Sequence, residues 1–307
     1  MRALLTVISL SCIFFNQSAY ATNISLRDKI GQMLIVGFDG KTVNKNAPIA
    51  QQIDQENIGG VILFDLNLQT KTYDKNIESP EQVRTLNTHL QALAKKSNQT
   101  LNRPDLPLLI SVDYEGGKVT RLHERYGFPA TVSAKKAAQE TSAEKQKIAE
   151  KMAITLDNAA FNLNFSPVLD IDANADNPII AQKERAFSSD PKKTSAYAAL
   201  YSEAFLNHGV QCAYKHFPGH GSATGDSHLG FVDVSNTWKA FELDAFKSSF
   251  NQPMHCGMVM TAHIVNQQLD RSGLPATLSH EILTNILRKK LAFDGVIITD
   301  DMQMKAI

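Results

Sequence analysis

Residues 211–216 read Gln-Cys-Ala-Tyr-Lys-His, and this stretch carries the pattern that decides the fold. A short apolar run ends directly in two polar side chains, Lys215 and His216. Further apolar runs recur along the chain: Met33–Phe38, Val61–Phe64, Leu108–Val112, Leu163–Val168, Met258–Ala262 and Val296–Ile298. They are dense in Val, Ile, Leu and Phe and do not alternate with polar residues, which is typical of parallel strands covered on both faces.

The segments between these runs carry helix signals. Ser25 opens a capping box, and Ser79 stands as an N-cap before Pro80. Ser279 is predicted to cap a helix over Glu281–Lys290. One predicted helix face recurs every four positions, at Ile148, Met152, Leu156 and Ala160. Repeated strand–helix units without a hairpin signal indicate the α/β class.

Polar side chains follow the predicted strand ends and distinguish two α/β architectures. These residues are Asp113, Asp170, Lys215, His216, His263 and Asp300. A (β/α)8 barrel builds its site from many strand ends, whereas a doubly wound sheet concentrates it at one switch point, usually with a Gly-rich turn. The sequence contains no GxGxxG and no GxxxxGK[ST] motif. We therefore predict a (β/α)8 TIM-type barrel.

The predicted barrel is short of one repeat. About seven strands can be counted, and the chain stops at Ile307, soon after Asp300 and Asp301. A closed barrel needs an eighth strand and its helix, because an open edge exposes unpaired backbone. We expect residues 22–307 to form one barrel that lacks its last strand and helix.

Composition and the first residues bound the cellular role. The chain has 307 residues, with 31 basic and 31 acidic side chains. This balanced charge, without a basic stripe, does not predict a nucleic-acid partner. A basic start, an apolar run from Leu4 to Phe15 and the sequence Ala19-Tyr20-Ala21 predict a signal peptide over residues 1–21. The run is too short for a membrane helix. We expect an exported protein, periplasmic or secreted, with no membrane span after cleavage.

Two cysteines remain in the predicted mature chain, Cys212 and Cys256. In an oxidising compartment they could pair. Both lie near predicted strand starts, where a free buried thiol is also common. The sequence leaves both alternatives open, because it does not fix their Cα separation.

The segment Lys215–His228 reads KHFPGHGSATGDSH and is the most specific in the chain. Asp226 and His228 lie two positions apart, and a carboxylate so close can orient an imidazole for acid–base chemistry. Two other interpretations compete, a structural loop and a metal site. The possible metal ligands are His216, His220, Asp226 and His228. No HExxH or CxxC motif supports the metal site.

KHFPGHG, followed by four residues and DSH, is similar to the signature of bacterial β-N-acetylglucosaminidases of glycoside hydrolase family 3, the NagZ-like enzymes. Other segments agree in order and spacing: Gly31–Phe38, Val112–Arg121, Asn164–Asp170, Met260–Ile264 and Phe293–Met302. The resemblance runs from about Leu26 to the end of the chain. It implies a TIM-type barrel that acts on sugars.

The resemblance implies three catalytic residues. Asp300 matches the nucleophile that forms a glycosyl-enzyme intermediate, and His228 matches the general acid/base, with Asp226 as its orienting partner. A covalent intermediate implies two inversions and therefore retention at the anomeric carbon. Asp301 is easily confused with Asp300, but neighbouring strand-end residues point in opposite directions, so only one should face the barrel axis.

The resemblance also implies which residues hold the sugar: Asp113, Arg121, Arg185, Lys215 and His216. Asp accepts hydrogen bonds from hydroxyl groups, while Arg and Lys donate them. Arg185 lies in Lys-Glu-Arg-Ala-Phe, where Ala186 replaces a Ser of the family. His263 is a further residue expected near the site. No metal and no cofactor are expected.

The activity implied is exo-hydrolysis of terminal β-linked N-acetylglucosamine from peptidoglycan fragments or chitin oligomers by a monomer. The expected partner is thus a small oligosaccharide or muropeptide. A phosphorylase of the same family remains an alternative, since a histidine acid/base repels phosphate less than a carboxylate does. A β-glucosidase of that family and an inactive sugar-binding fragment are further alternatives.

Overall fold

The computed structural model describes residues 24–67 and 70–307. The predicted signal peptide, residues 1–21, lies outside the described residues. The strands are β1 Ile35–Gly37, β2 Gly60–Ile62, β3 Leu109–Val112, β4 Tyr114–Gly116, β5 Val119–Thr120, β6 Leu163–Asn164, β7 Gln211–Phe217, β8 Met258–Thr261 and β9 Val296–Thr299. The α-helices are α1 Leu26–Gln32, α2 Pro48–Gln51, α3 Pro80–Thr100, α4 Ala134–Ala137, α5 Ser142–Asn158, α6 Pro191–Asn207 and α7 Glu242–Phe250. π-helices span Gln52–Glu56 and Glu281–Lys290, and 3₁₀ turns span Glu124–Tyr126 and Ala276–Leu278.

Seven of the strands form one parallel sheet in the order β1-β2-β3-β6-β7-β8-β9. Helices alternate with most of these strands. The sheet curls as part of a (β/α) barrel, so the predictions of fold class and of seven parallel strands are confirmed. Within the described residues, β1 and β9 each have one paired neighbour.

Two details of the sequence prediction were wrong. The structure adds an antiparallel hairpin, β4–β5, whose turn needs Gly116 and Gly117 at positive φ of 93° and 59°. The predicted run Leu163–Val168 shortens to the strand β6, Leu163–Asn164, and Pro167, which has no backbone N–H to donate, lies in the interrupted part. Pairing resumes at a bridge between Val168 and Lys215.

The helix starts follow the predicted caps. Ser25 accepts a hydrogen bond from the backbone N–H of Asp28, and Ser79 accepts one from Gln82. Ser279 likewise accepts from the N–H of Ile282. The predicted stripe on α5 holds through Leu156, but Ala160 has a φ of 57° and lies beyond the helix end.

Side chains divide into an inner and an outer cluster, which is what a curled sheet requires. The inner cluster contains Leu163, Phe165, Ala213, Met258 and Met260, with Ile35, Ile62, Leu109 and Ile298 packed against it. The outer cluster lies between sheet and helices and includes Cys212, Tyr214, Val259 and Ile297. Neighbouring residues of β7, β8 and β9 thus face opposite sides, with alternate side chains pointing to the barrel axis.

Cys212 and Cys256 are joined by a disulfide, with a Cα–Cα distance of 4.9 Å. Of the two alternatives that the sequence left open, the structure shows the bonded pair. The bond ties β7 to the segment that enters β8. In the described part of the chain, no helix combines the length and the apolar character needed to cross a bilayer.

Candidate active site

Charged side chains follow or end three strands of the sheet, β3, β7 and β9, at their carboxyl ends. The inward-facing residues of these strands are Leu109, Ala213 and Ile298. Asp113, Lys215 and Asp300 lie an even number of positions further along their strands, so the alternation directs them to the same side. Because all three strands run parallel, Asp113, Lys215 and Asp300 lie at or just after the carboxyl ends of their strands. Of these three, Asp113 and Lys215 are in direct contact.

Lys215 is the centre of a buried ion cluster. Its ammonium nitrogen lies 2.9 Å from Oδ1 of Asp113 and 2.7 Å from Oε1 of Glu115, and the residue is 2% exposed. Burial alone would lower the pKa of Lys215, but Asp113 and Glu115 outweigh it and raise the pKa. The ammonium therefore stays charged at neutral pH, with fixed neighbours and little contact with water.

Glu115 forms the base of this cluster and joins Lys215 to Arg185. The Arg185 guanidinium donates two hydrogen bonds of 2.7 Å to its carboxylate, from Nε and Nη2. Burial raises the pKa of Glu115, but the charges of Arg185 and Lys215 outweigh it and hold the pKa well below its usual range. Such a bidentate pair fixes the guanidinium plane.

His216 continues the chain of contacts from Arg185 to Asp170. Nη2 of Arg185 lies 3.2 Å from Nε2 of His216, and Nδ1 of His216 lies 2.5 Å from Oδ2 of Asp170. Since a guanidinium only donates, Nε2 must accept and Nδ1 must carry the ring proton. Both ring nitrogens of His216 are therefore engaged with protein groups.

Asp113 is more accessible than Lys215 and Glu115, since 18% of its side chain is exposed. Burial raises its pKa, but Lys215 and Arg121 outweigh that effect and lower it. The nearest guanidinium nitrogen of Arg121 lies 3.8 Å from Oδ2 of Asp113, and the group also lies 5.4 Å from the centre of the Phe64 ring. Arg121 thus borders the open side of the cluster.

The loop after β7 is fixed at its base. The backbone N–H of His220 donates to Oδ1 of Asp170 at 2.7 Å, and Nε1 of Trp238 donates to the carbonyl of Pro218 at 3.2 Å. A Cβ on Gly221 would lie 2.0 Å from the carbonyl oxygen of Ile171, so only glycine fits there. The base of the loop is therefore packed tightly against Asp170, Ile171 and Trp238.

The far end of this loop carries the predicted dyad. Nδ1 of His228 lies 2.7 Å from Oδ1 of Asp226, and the His228 side chain is 54% exposed. Burial raises the pKa of Asp226, but hydrogen bonds from the backbone and ring of His228 outweigh it and lower the pKa. Because a carboxylate only accepts, Nδ1 carries a proton and Nε2 is left for exchange with solvent.

Asp300 follows β9 directly and is half-buried, while Asp301 is exposed. The carboxylate of Asp300 accepts a hydrogen bond of 2.8 Å from the N–H of Asp301. His263 supports this corner, because its Nε2 donates to the carbonyl of Asp301 at 2.9 Å and its Nδ1 lies 2.8 Å from Oγ1 of Thr277. The imidazole of His263 is therefore engaged on both sides and buried behind the strand end.

The structure thus groups some predicted residues and separates others. Asp113, Arg121, Arg185, Lys215 and His216 share one cluster. Asp226 and His228 contact each other on the loop, and Asp300 lies at the end of β9. Within residues 24–67 and 70–307, no three His, Cys, Asp or Glu residues are arranged to hold a metal ion.

Glu115 and Glu242 are buried acids that received no role from the sequence. Glu115 was predictable in part, because it lies two positions after Asp113 and such spacing favours the same side of an extended chain. Glu242, in the first turn of α7, is 1% exposed, and burial raises its pKa to about 6. Its sequence neighbourhood is that of an ordinary helix start, so no pattern distinguished it.

Comparisons with known proteins show which family the chain is similar to. The family description "Glycosyl hydrolase family 3 N terminal domain" matches residues 25–307. Beta-hexosaminidase A of Pseudoalteromonas piscicida is 31% identical over 274 residues, which is 84% of this chain and 43% of that protein. A beta-hexosaminidase of Shewanella frigidimarina is 35% identical over 280 residues, 89% of this chain and 74% of that protein.

A solved structure gives the same picture. The glycoside hydrolase family 3 beta-N-acetylglucosaminidase from Paenibacillus sp. str. FPU-7 has a TM-score of 0.80 and 31% identity to this chain. The match covers 92% of this chain and 50% of that protein. The chain thus spans about half the length of the Pseudoalteromonas and Paenibacillus proteins and about three quarters of the Shewanella protein.

Proposed function

The chain belongs to glycosyl hydrolase family 3, and from that premise we propose that it is a retaining exo-β-N-acetylglucosaminidase. Its substrates are peptidoglycan fragments or chitin oligomers that end in β-linked N-acetylglucosamine. Relatives named beta-hexosaminidase and beta-N-acetylglucosaminidase support this choice within the family. The active species is a monomer that needs no metal.

The observation that carries the proposal is the charged cluster at the carboxyl edge of the sheet. Asp113 offers carboxylate oxygens to sugar hydroxyls, while Lys215 and Arg121 offer donors beside it. Glu115 and His216 hold the Arg185 guanidinium in place. This rigidity supports a role for Arg185 in orienting the bound sugar ring. Such alternation of donors and acceptors suits a polyhydroxylated ligand.

The reaction proceeds in two displacements. The Asp300 carboxylate attacks the anomeric carbon while His228 gives its Nε2 proton to the departing oxygen. His228 then takes a proton from water, the water oxygen attacks the same carbon, and Asp300 is released. Asp226 holds Nδ1 and stabilises the charged imidazolium, and this 2.7 Å contact supports the role.

The test is product analysis with purified protein. We expect release of N-acetylglucosamine from N,N′-diacetylchitobiose, and NMR should detect the β-anomer first. No comparable rate is expected with the matched β-glucoside. Sugar 1-phosphate appearing only with added phosphate would instead indicate the phosphorylase. A chain that binds N-acetylglucosamine but releases none would refute hydrolysis and favour the binding fragment.

We further propose that the protein is exported to the periplasm or secreted. The signal pattern of residues 1–21 motivates this, and the disulfide between Cys212 and Cys256 supports an oxidising compartment. Fractionation of cells expressing the whole chain should recover a product that begins near Thr22 outside the cytoplasm. A full-length product that stays in the cytoplasm would contradict export.

A further inference from the structure

Two large apolar side chains stand in solvent beside the exposed imidazole of His228. Leu229 is 73% exposed and Phe231 is 70% exposed, which makes them among the most exposed large apolar residues in the described part of the chain. A Cβ on Gly230 would meet no atom within 4 Å, so the segment between them borders open space. Exposed apolar residues that lie together commonly mark a binding surface.

This exposure does not come from a loose end of chain. On one side the N–H of Leu229 donates to the carbonyl of Asp226 at 3.0 Å, within the turn that also orients His228. On the other side Val232 is buried, and its carbonyl accepts from the N–H of Val265 at 2.9 Å. Leu229 and Phe231 are therefore held outward by anchors on both sides.

The position of the acid/base determines what must lie against these residues. A general acid has to come within about 3 Å of the oxygen of the leaving group. Phe231 is three residues beyond His228, and Cα atoms are about 3.8 Å apart along the chain. The Cα of Phe231 therefore lies no further than about 11 Å from the Cα of His228, which puts its side chain within reach of the first one or two sugar units past the cleaved bond.

We propose that Leu229 and Phe231 form a binding platform for the leaving group, and that this group is an uncharged β-linked pyranose. The proposal rests on the function proposed above. The axial C–H groups of such a ring form an apolar face that packs on aromatic and aliphatic side chains. Residues 229–232, Leu-Gly-Phe-Val, carry no charge, and the exposed Asp233 that follows them would repel an acidic peptide. The positive charge of Lys183 acts on Asp226 of the dyad rather than on this segment. The platform thus favours sugar oligomers over the peptide part of a muropeptide.

The first experiment compares leaving groups in the whole chain. Phe231→Ser should lower kcat/KM for N,N′-diacetylchitobiose about tenfold, the loss expected when an aromatic contact is removed. Methyl N-acetyl-β-glucosaminide, whose leaving group is too small to reach the platform, should change less than about twofold. Leu106→Ser is the control, because Leu106 is also exposed but lies before the amino end of β3, whereas the proposed site lies at the carboxyl ends of the strands. Equal losses on both substrates, or none, would overturn the platform.

A second measurement separates this proposal from the activity itself. In an Asp300→Ala background, Phe231→Ser should weaken calorimetric binding of diacetylchitobiose several-fold and leave binding of N-acetylglucosamine unchanged. An inactive parent protein that still shows this difference would refute hydrolysis and support the platform. Unchanged binding of both ligands in an active enzyme would refute the platform alone. Acceleration by an acidic peptide on the leaving group would assign the surface to peptides.

Discussion

Arg185 and Glu115 form two hydrogen bonds of 2.7 Å in a site where both side chains are almost fully buried. The same carboxylate also contacts the ammonium of Lys215 at 2.7 Å. One acid thus balances two cations, and Asp113 supplies the second negative charge. The orientation of the proposed sugar-binding groups depends on an acid that does not itself reach the open side.

Replacing that acid should cost both stability and affinity. Glu115→Gln keeps the shape but leaves two buried cations short of one charge, and breaking such a pair costs about 3–5 kcal/mol. We expect a lower thermal unfolding midpoint and weaker binding of N-acetylglucosamine by calorimetry. Glu144→Gln is the control, because Glu144 pairs with Lys147 on the exposed face of α5 and should have little effect. Similar midpoints for the two variants would show that Glu115 is not needed to balance the cluster.

The acid role of His228 can be tested through the leaving group. His228→Ala should reduce kcat/KM for diacetylchitobiose by about 100-fold or more, because general acid catalysis contributes about that much. A nitrophenyl glycoside should suffer less, since its leaving group needs little protonation. Asp226→Asn should show the same ranking with smaller losses, because it removes the charge that orients the ring. Equal losses on both substrates would contradict the acid/base assignment.

The sheet was predictable because buried parallel strands carry an unbroken apolar signal. Ala213 and Ile298 lie in such runs, and the alternation from them leads to Lys215 and Asp300 without any structural knowledge. The β4–β5 hairpin was missed because its strands are short and its turn depends on two glycines at positive φ. Single glycines give no period that a sequence scan can detect.

The site was less predictable, because its contacts join residues far apart in sequence. Glu115 and Arg185 are 70 positions apart, and Lys215 and Asp113 are 102 apart. Only the resemblance to a known family brought Arg185 forward. Glu242 was missed for a different reason, since its burial depends on how α7 packs beneath the loop after β7, and periodicity along one helix does not report this.

Glu242 should make stability depend on pH. Burial is the main cause that raises its pKa to about 6, the negative charge of Asp170 adds to it, and the hydrogen bond from the N–H of Lys239 to Oε1 opposes it. Because the folded-state pKa exceeds the unfolded value, the native state favours the protonated form. The contribution of Glu242 to the free energy of unfolding is fully present below about pH 4.5 and is lost as pH rises through about 6. The difference between these two limits is about 2 kcal/mol.

Glu242→Gln should remove this dependence. The variant carries a permanently neutral side chain and should unfold at a higher temperature than the parent at pH 8, with little difference at pH 4.5. Unfolding midpoints measured from pH 4.5 to 8 provide the test. Glu203→Gln on the exposed face of α6 serves as the control and should follow the parent curve. A pH profile unchanged by Glu242→Gln would show that this carboxyl is not the group that titrates.

Metal chelation should leave the reaction intact. The proposed mechanism uses a carboxylate nucleophile and a histidine proton carrier, so it needs no ion. Activity before and after EDTA treatment and dialysis should agree within about twofold, well below the losses expected when a metal ligand is disturbed. The control is His220→Gln. This variant alters another histidine of the same loop, one of the possible metal ligands, and burial lowers the pKa of His220 to about 4. Loss of activity on chelation that Zn²⁺ restores would favour the metal site over the acid–base dyad.

The disulfide should stabilise the fold by restricting the unfolded chain. Cys212 and Cys256 are separated by 44 positions, and closing a loop of that size is worth about 4 kcal/mol in the chain-entropy estimate. Lys215 lies three residues beyond Cys212 on β7, so loosening this strand should also disturb the charged cluster. We expect Cys212→Ala/Cys256→Ala to unfold at a lower temperature and to bind N-acetylglucosamine more weakly. Unfolding the parent with a reductant should lower its midpoint toward that of the variant, while the variant should not respond. A parent midpoint that is the same with and without reductant, after thiol titration has verified reduction, would show that the bond adds nothing to stability.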